Sequence, residues 1–419
     1  MRTDLNEIGV CEVCGNTNLT PVLDLGSHPM CDDLVPIGDD RVCREYPIEI
    51  LYCDTCRTAH QKFQVPKQDL FPESYHYRSR FTADVLKGME SLVSSCKERF
   101  GDLAGKKVLD IGCNDGSLLD FFRKQGALTI GIEPTGAYID AAEKGHEVFN
   151  DYLTPDVAKQ IVITHGHPSF ITFTNVFAHI EDLKGVIESL GILMGPETVL
   201  VIENHYLGAV LEGNQFDTFY HEHPRTYSYT SFIYIARALG VDLLDVEFPA
   251  RYGGNIRVFM GNVGVNDGVD KENSSEILEK EKSFLEEFSI LSGNIDVWKM
   301  AKKEAIAEQI SKHGPLVGKA FPGRAAILVK LLGLDSDQIS VVYEKPGSMK
   351  IGFYLPGTRI PISSDEELIS LHNKDKVILN LAWHISDEIR RYLIHNGISS
   401  PVIDILSSED IQVQNKNEH

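Results

Sequence analysis

At 419 residues the chain is too long for one small core, and a prior of about 150 residues per domain sets the expectation at two or three units. A hydrophobic fraction of 42% and a charged fraction of 24% exclude a disordered, collagen-like or disulfide-dense chain. Lys plus Arg number 40 against 61 Asp plus Glu, so the net charge is −21; such a surface repels a polyphosphate backbone, and an anionic ligand must find a local cluster of cations.

MRTDLNEIG lacks the apolar stretch of a signal peptide, and no run of about 18 apolar residues follows anywhere in the chain. The expectation is a cytoplasmic protein that engages neither membrane nor nucleic acid, with a monomer as the default. Residues 1–70 are rich in Cys, Pro and Asp and read as a small metal-stapled module. Cys11-x-x-Cys14 and Cys53-x-x-Cys56 supply four thiolates on two tight turns, a set suited to tetrahedral Zn²⁺. Four protein thiolates leave no open coordination position, so this zinc serves folding and not catalysis. Cys31, Cys43, Cys96 and Cys113 lack such pairing and are expected as buried small side chains.

Residues 71–265 alternate strand-like runs with amphipathic stretches: KKVLDIG (107–112), ALTIGIE (127–133), SFITFTN (169–175) and TVLVIEN (198–204). This predicts a parallel α/β sheet. The run closes with VDLLDVEF (241–248) and NIRVFMGN (255–262), which predict an antiparallel hairpin at the sheet edge. Asp110-Ile111-Gly112-Cys113-Asn114-Asp115-Gly116 follows the first strand, where glycines let backbone approach a ligand at the carboxyl end of a parallel sheet. GxxxxGK[ST] and GxGxxG are both absent. Glu133 ends the next strand, where an acidic side chain accepts hydrogen bonds from both ribose hydroxyls. Together they point to an adenosine-containing cofactor.

Phe219-Tyr220-His221-Glu222-His223 puts two imidazoles, a carboxylate and a phenol within five positions. In an extended stretch the two His share a face and Glu222 points away. A metal site is the weaker reading because HExxH is absent; proton transfer by a neutral His beside a carboxylate is the stronger. His179, just after the fourth strand, is expected in the same cleft. Residues 266–314 predict a helical connector. From 315 to 419 a second α/β pattern runs through AAILVKLLGL, ISVVYE, KVILNLAW and DEIRRYLIHNG, with a polar tail.

The glycine spacing, Glu133 and the terminal hairpin resemble an S-adenosylmethionine-dependent methyltransferase of the class I, Rossmann-like type. That resemblance implies that Asp110, Gly112, Asn114 and Asp115 surround the cofactor's methionine end, with Glu133 at the ribose and Asn175 near the sulfonium; Gly116 and Leu118 are further cofactor-binding candidates. The whole series, from the CxxC pairs through Tyr75-His76-Tyr77-Arg78-Ser79, DIGCNDGSLL, NVFAHIEDL, FDTFYHEH and GGNIRVF to KIGFYLPGTRIPI and LAW, resembles the nucleotide-sugar C-methyltransferases. These act on TDP-4-keto-deoxyhexoses and related sugars at C3. The resemblance implies a zinc module, a methyltransferase domain and a C-terminal Rossmann-like domain that binds the nucleotide sugar. His223 is then the base that removes the C3 proton. Tyr220, Glu222, His179 and one of Tyr75 or Tyr77 orient the base and the 4-keto oxygen.

Two departures bear on the substrate. Pro224-Arg225-Thr226-Tyr227-Ser228 replaces the family's usual LSYFS, and Lys319-Ala320-Phe321-Pro322-Gly323-Arg324 stands where a Gly-rich run ending in Lys is usual. Arg251, Asn255, Arg257, Arg324, Lys345 and Lys350 are the candidates for binding the anionic substrate, Arg324 by a forked phosphate contact. Sugar O-methylation, and a non-catalytic sugar-nucleotide-binding homologue, stand as alternative readings.

Overall fold

The computed structural model describes residues 5–70, 78–81, 83–264, 271–370, 376–407 and 409–412. The chain divides into two compact units that do not follow chain order: residues 1–21, 51–210 and 222–285 form the first, and 22–50, 211–221 and 286–419 the second. This differs from four consecutive segments. The excursions at 22–50 and 211–221 are held by the second unit's own residues: Val35–Pro36 pairs antiparallel with Phe353–Tyr354, Lys330 meets Glu45 at 2.6 Å, and Asn294 donates to Asn214 at 2.7 Å. The expected connector is helical, in two pieces: Lys271–Lys280 and Phe284–His313.

In the first unit, β1 (Lys107–Ile111), β2 (Leu128–Ile132), β3 (Glu147–Phe149), β4 (Phe170–Thr174) and β5 (Val199–His205) run parallel. β6 (Asp242–Glu247) and β7 (Asn255–Gly261) form the expected antiparallel hairpin, β7 lying against β5. The order is β3-β2-β1-β4-β5-β7-β6. Uninterrupted apolar runs such as Val199–Ile202 fit strands buried on both faces. Leu92, Val108, Leu118, Phe122 and Phe259 knit the core between sheet and helices, among them α1 (Ala83–Phe100) and α2 (Ser117–Lys124). The order reverses between β1 and β4, and ligands of open parallel sheets bind outside the carboxyl ends at such a point.

The second unit holds an all-parallel sheet of β8 (Leu316–Lys319), β9 (Ile339–Glu344), β10 (Ile362–Ser364), β11 (Ile378–Asn380) and β12 (Val402–Asp404), in the order β10-β9-β8-β11-β12. The KVILNLAW strand is shorter than its apolar run, ending at Asn380. Asn380 accepts from the Ala382 amide and donates to Asp404 at 2.7 Å, which turns the chain out of the sheet. Among the described residues no helix is long and apolar enough to cross a membrane.

Candidate active site and metal centre

The four knuckle thiols come together as expected, their sulfurs all within 4.8 Å of one another. Cys11 and Cys56 sulfurs are 3.4 Å apart, and Cys14 and Cys53 3.5 Å. Zinc–sulfur bonds of about 2.3 Å in a tetrahedron require sulfurs roughly 3.8 Å apart, a spacing that falls between the 3.4 Å separating Cys11 from Cys56 and the outer bound of 4.8 Å. Each knuckle turns through a residue of positive φ, Gly15 at 77° and Arg57 at 58°. Asn16 Nδ2 lies 3.7 Å from Cys53 Sγ, and Thr58 Oγ1 3.1 Å from Cys56 Sγ, the polar surround a thiolate cluster needs. No cysteine is in a disulfide, and Cys31, Cys43, Cys96 and Cys113 are buried.

At the carboxyl end of β1 the chain enters the glycine turn, with Gly112 at φ 68° and Gly116 at φ 73°. A Cβ on Gly112 would lie 2.7 Å from Val176, so glycine is required there by packing as well as by φ. Asp110 is fully enclosed, and burial pushes its carboxyl up to about 7 despite the hydrogen bond from Thr172 Oγ1 at 2.6 Å. Among the described residues no cation reaches it. Glu133 accepts from the Asn114 amide at 2.9 Å and from Thr135 N–H and hydroxyl at 2.9 and 2.6 Å, which locks the β1 and β2 loops together. Asn114, at φ 50°, accepts from the Ser79 amide, and Asp115 from Ser117 and the Arg80 amide. Leu118 turns its side chain wholly into the apolar core on the inward face of α2, which leaves its backbone as the part at the glycine turn. The remaining cofactor candidates line one sheet edge. Their carboxylates and Asn side chains suit the ammonium and hydroxyls of S-adenosylmethionine.

Asn175 follows β4 at φ 55°, and four residues later comes His179. The His179 ring meets His223 with centroids 4.8 Å apart, and His205, the last residue of β5, meets His223 at 5.5 Å. His179 Nδ1–H donates to the Glu222 carbonyl at 2.7 Å, and burial pushes the ring down to about 4, so it is neutral at ordinary pH. His223 and Glu222 are buried.

The two motif histidines do not share a face. The chain turns at His221 and Glu222 in place of an extended stretch. His221 Nε2 engages the Tyr46 carbonyl at 3.0 Å, and burial pushes that ring down to about 4. His221 and half-buried Tyr220 belong to the second unit, Glu222 and His223 to the first. Tyr75 and Tyr77 lie outside the described residues.

Three anion-binding candidates are engaged by carboxylates of the fold itself. Arg257, at 1% exposure, donates to Glu203 at 2.7 Å and to Glu247 at 2.5 Å; Arg251 pairs with Glu203 at 2.7 Å; and Asn255 donates to the same carboxylate at 3.0 Å. The reason is Glu203, a wholly buried carboxylate at the end of β5 that β7 must neutralise. The sequence reading missed both Glu203 and His205. Their signal was present: polar residues ending an otherwise apolar strand at its carboxyl edge.

The other three lie in the second unit. Arg324 stacks over Trp383 at 5.5 Å, pairs with Asp217 at 3.2 Å and donates to Thr218 at 3.1 Å, and its buried Nη2 has no hydrogen-bond partner among the described residues. Lys350 donates to the Phe321 carbonyl at 2.8 Å, and Lys345 stays exposed beside Glu388.

Family models match three consecutive stretches: a zinc binding domain over residues 11–71, a methyltransferase domain over 85–246, and a C-methyltransferase C-terminal domain over 250–397. The chain is 28% identical over 409 residues to the C-methyltransferase NovU of Streptomyces niveus, covering 95% of this chain and 96% of that one. It is 33% identical over 109 residues to the ubiquinone biosynthesis O-methyltransferase of Escherichia coli O157:H7, 25% of this chain and 45% of that protein. The magnesium protoporphyrin IX methyltransferase of Synechocystis PCC 6803, solved with bound SAH, superposes with a TM-score of 0.34 at 17% identity, covering 44% of this chain and 84% of that one. With the four-thiol module, the class I sheet order and the C-terminal parallel sheet in place, the chain belongs to the C-methyltransferase family with a zinc-binding N-terminal domain.

Proposed function

We propose that this protein is an S-adenosylmethionine-dependent C-methyltransferase acting at C3 of a nucleotide-linked 4-keto-deoxyhexose, with His223 as the base. The observation that carries the reading is the His179–His223–His205 cluster, with His223 buried and its two neighbours half-buried, at the carboxyl ends of β4 and β5 in the sheet whose other carboxyl ends present Asp110 and Glu133. When bound, S-adenosylmethionine supplies an electrophilic methyl group; Asp110, Asn114, Asp115 and Glu133 would hold it, their oxygens suiting its ammonium and hydroxyl groups. A C–H beside a ketone ionises because the charge moves onto the carbonyl oxygen. His223 takes that proton, and His179, held neutral with its Nδ1 proton on the Glu222 carbonyl, fixes the segment that carries the base. Burial of His223 keeps bulk water from the base itself.

For the nucleotide portion we assign the second unit, on the unpartnered Nη2 of Arg324 at the start of the helix that follows β8. Zinc is assigned to the four thiolates with a folding role. Incubation with a panel of nucleotide 4-keto sugars and methyl-labelled cofactor, read by mass spectrometry and proton NMR, tests the reading. A quaternary C-methyl singlet is the expected product signal. An O-methyl signal instead, or no transfer to any sugar, overturns it.

A further inference from the structure

We propose that Arg225 is a positioning residue that couples the zinc module to the histidine pair, so that the Cys11–Cys14 turn helps to set the geometry of His179 and His223. The proposal rests on the assignment of those two histidines to the reaction.

Arg225 is wholly buried, two residues beyond His223. Its guanidinium reaches three separate pieces of chain. Nη1 donates to the carboxylate of Glu12, which lies inside the Cys11-x-x-Cys14 knuckle. Nη2 donates to the carbonyl of Ile180, the residue after His179, and to that of Glu181 at 3.2 Å. Nε donates to the Tyr227 hydroxyl at 3.0 Å. The backbone repeats the link. Arg225 and Thr226 pair antiparallel with His60 and Ala59, just past Cys56, and the Pro224 carbonyl accepts from the Gln61 amide at 2.8 Å.

A second brace runs parallel to the first. Thr58 Oγ1 lies 3.1 Å from Cys56 Sγ and 2.8 Å from Ser231 Oγ, and Ser231 Oγ lies 3.1 Å from the Cys56 carbonyl; Ser231 completes the capping box of the helix Tyr229–Leu239. The knuckles are therefore bound to both sides of the segment that leads away from His223.

A buried guanidinium whose carboxylate partner is withdrawn is left uncompensated, so it must either move or drag its partners with it. Arg225 holds the carbonyls next to His179 with one nitrogen and the metal-binding turn with another, so displacement of Glu12 is transmitted to the His179 turn. A fork with five N–H donors can serve three partners at once; a lysine ammonium cannot do so in one plane. The Pro-Arg-Thr stretch, where the family usually carries other residues, thereby gains a defined role.

The test uses full-length zinc-loaded protein labelled with ¹⁵N-histidine. Glu12→Gln, Arg225→Met and Arg225→Lys are expected to shift the ring resonances of His179 and His223, assigned through His179→Gln and His223→Gln, in the absence of substrate. Turnover should fall by about 10-fold or more, the scale seen when an outer partner of a site is removed, while the dissociation constant for S-adenosylmethionine stays within about twofold. Arg225→Lys keeps the charge and leaves the knuckle untouched, so it reads the fork alone should Arg225→Met fail to fold. If Glu12→Gln and Arg225→Lys retain zinc, unchanged histidine signals and parental turnover, Arg225 is packing only and the coupling is overturned. Failure of the sugar assignment reads differently: the parent transfers no methyl group to any 4-keto sugar, while the resonance shifts persist.

Discussion

Both units carry a parallel sheet whose order reverses beside its first strand, yet they treat buried charge at the carboxyl ends in opposite ways. In the second unit Lys319, ending β8, meets Asp365 at 2.8 Å, both are 1% exposed, and Tyr392 donates to the same carboxylate oxygen at 2.8 Å. In the first unit Asp110 is equally enclosed but has only a threonine hydroxyl, and its carboxyl rises to about 7. A charge neutralised within the fold contributes architecture. A carboxyl left without a counter-ion at such an edge keeps its capacity to pair with a cation. Shared topology therefore says little about use, and the side chains at the strand ends decide it.

The largest effect is expected at the proposed base. His223→Ala should lose about 10²–10⁴-fold in turnover with cofactor affinity near the parental value, measured by steady-state kinetics and calorimetry. Retained turnover would remove His223 from the mechanism and leave the first sheet edge as a binding surface only. Next comes the neutralised pair: Lys319→Met strands Asp365 and should cost about 3–5 kcal/mol in denaturant unfolding, with S-adenosylmethionine affinity unchanged. A large affinity loss would mean that the second sheet is no mere scaffold.

Cys53→Ser should abolish stoichiometric zinc by atomic absorption and lower the melting temperature, since closed thiolate sites contribute folding free energy. Equal stability without metal would end the folding role. The smallest effect, and the sharpest probe of the comparison, is Asp110→Asn. A carboxyl raised from 3.8 to about 7 contributes stability that is present below pH 4 and lost as pH rises through 7. The amide should therefore be more stable than the parent by about 1–3 kcal/mol at pH 8 and show no such gain near pH 4, while binding S-adenosylmethionine more weakly. A pH-independent difference would show that Asp110 is not a suppressed charge.

Much of this was legible in the residues. Apolar runs located β1, β2, β4 and β5, the alternating pair at 241–262 located the β6–β7 hairpin, and the CxxC spacing predicted the thiol cluster. These are local signals of period and spacing. The surroundings of Arg257 and of the Leu118 side chain were not legible, because they depend on partners remote in sequence: Glu203 for the one, the core packed around α2 for the other.

Cysteine spacing and strand periodicity determined by themselves a four-thiol module and two α/β patterns, and motif order carried the resemblance to a methyltransferase, because such patterns are written in neighbouring residues. Only the tertiary structure decided which polar groups are spent on one another and which face a ligand edge. It separated His221, held by a backbone carbonyl, from His223, ringed by His179 and His205, although one residue lies between them. The reason is that a turn sends adjacent side chains to different surroundings, and charge compensation is settled by distance in space, which sequence spacing does not encode.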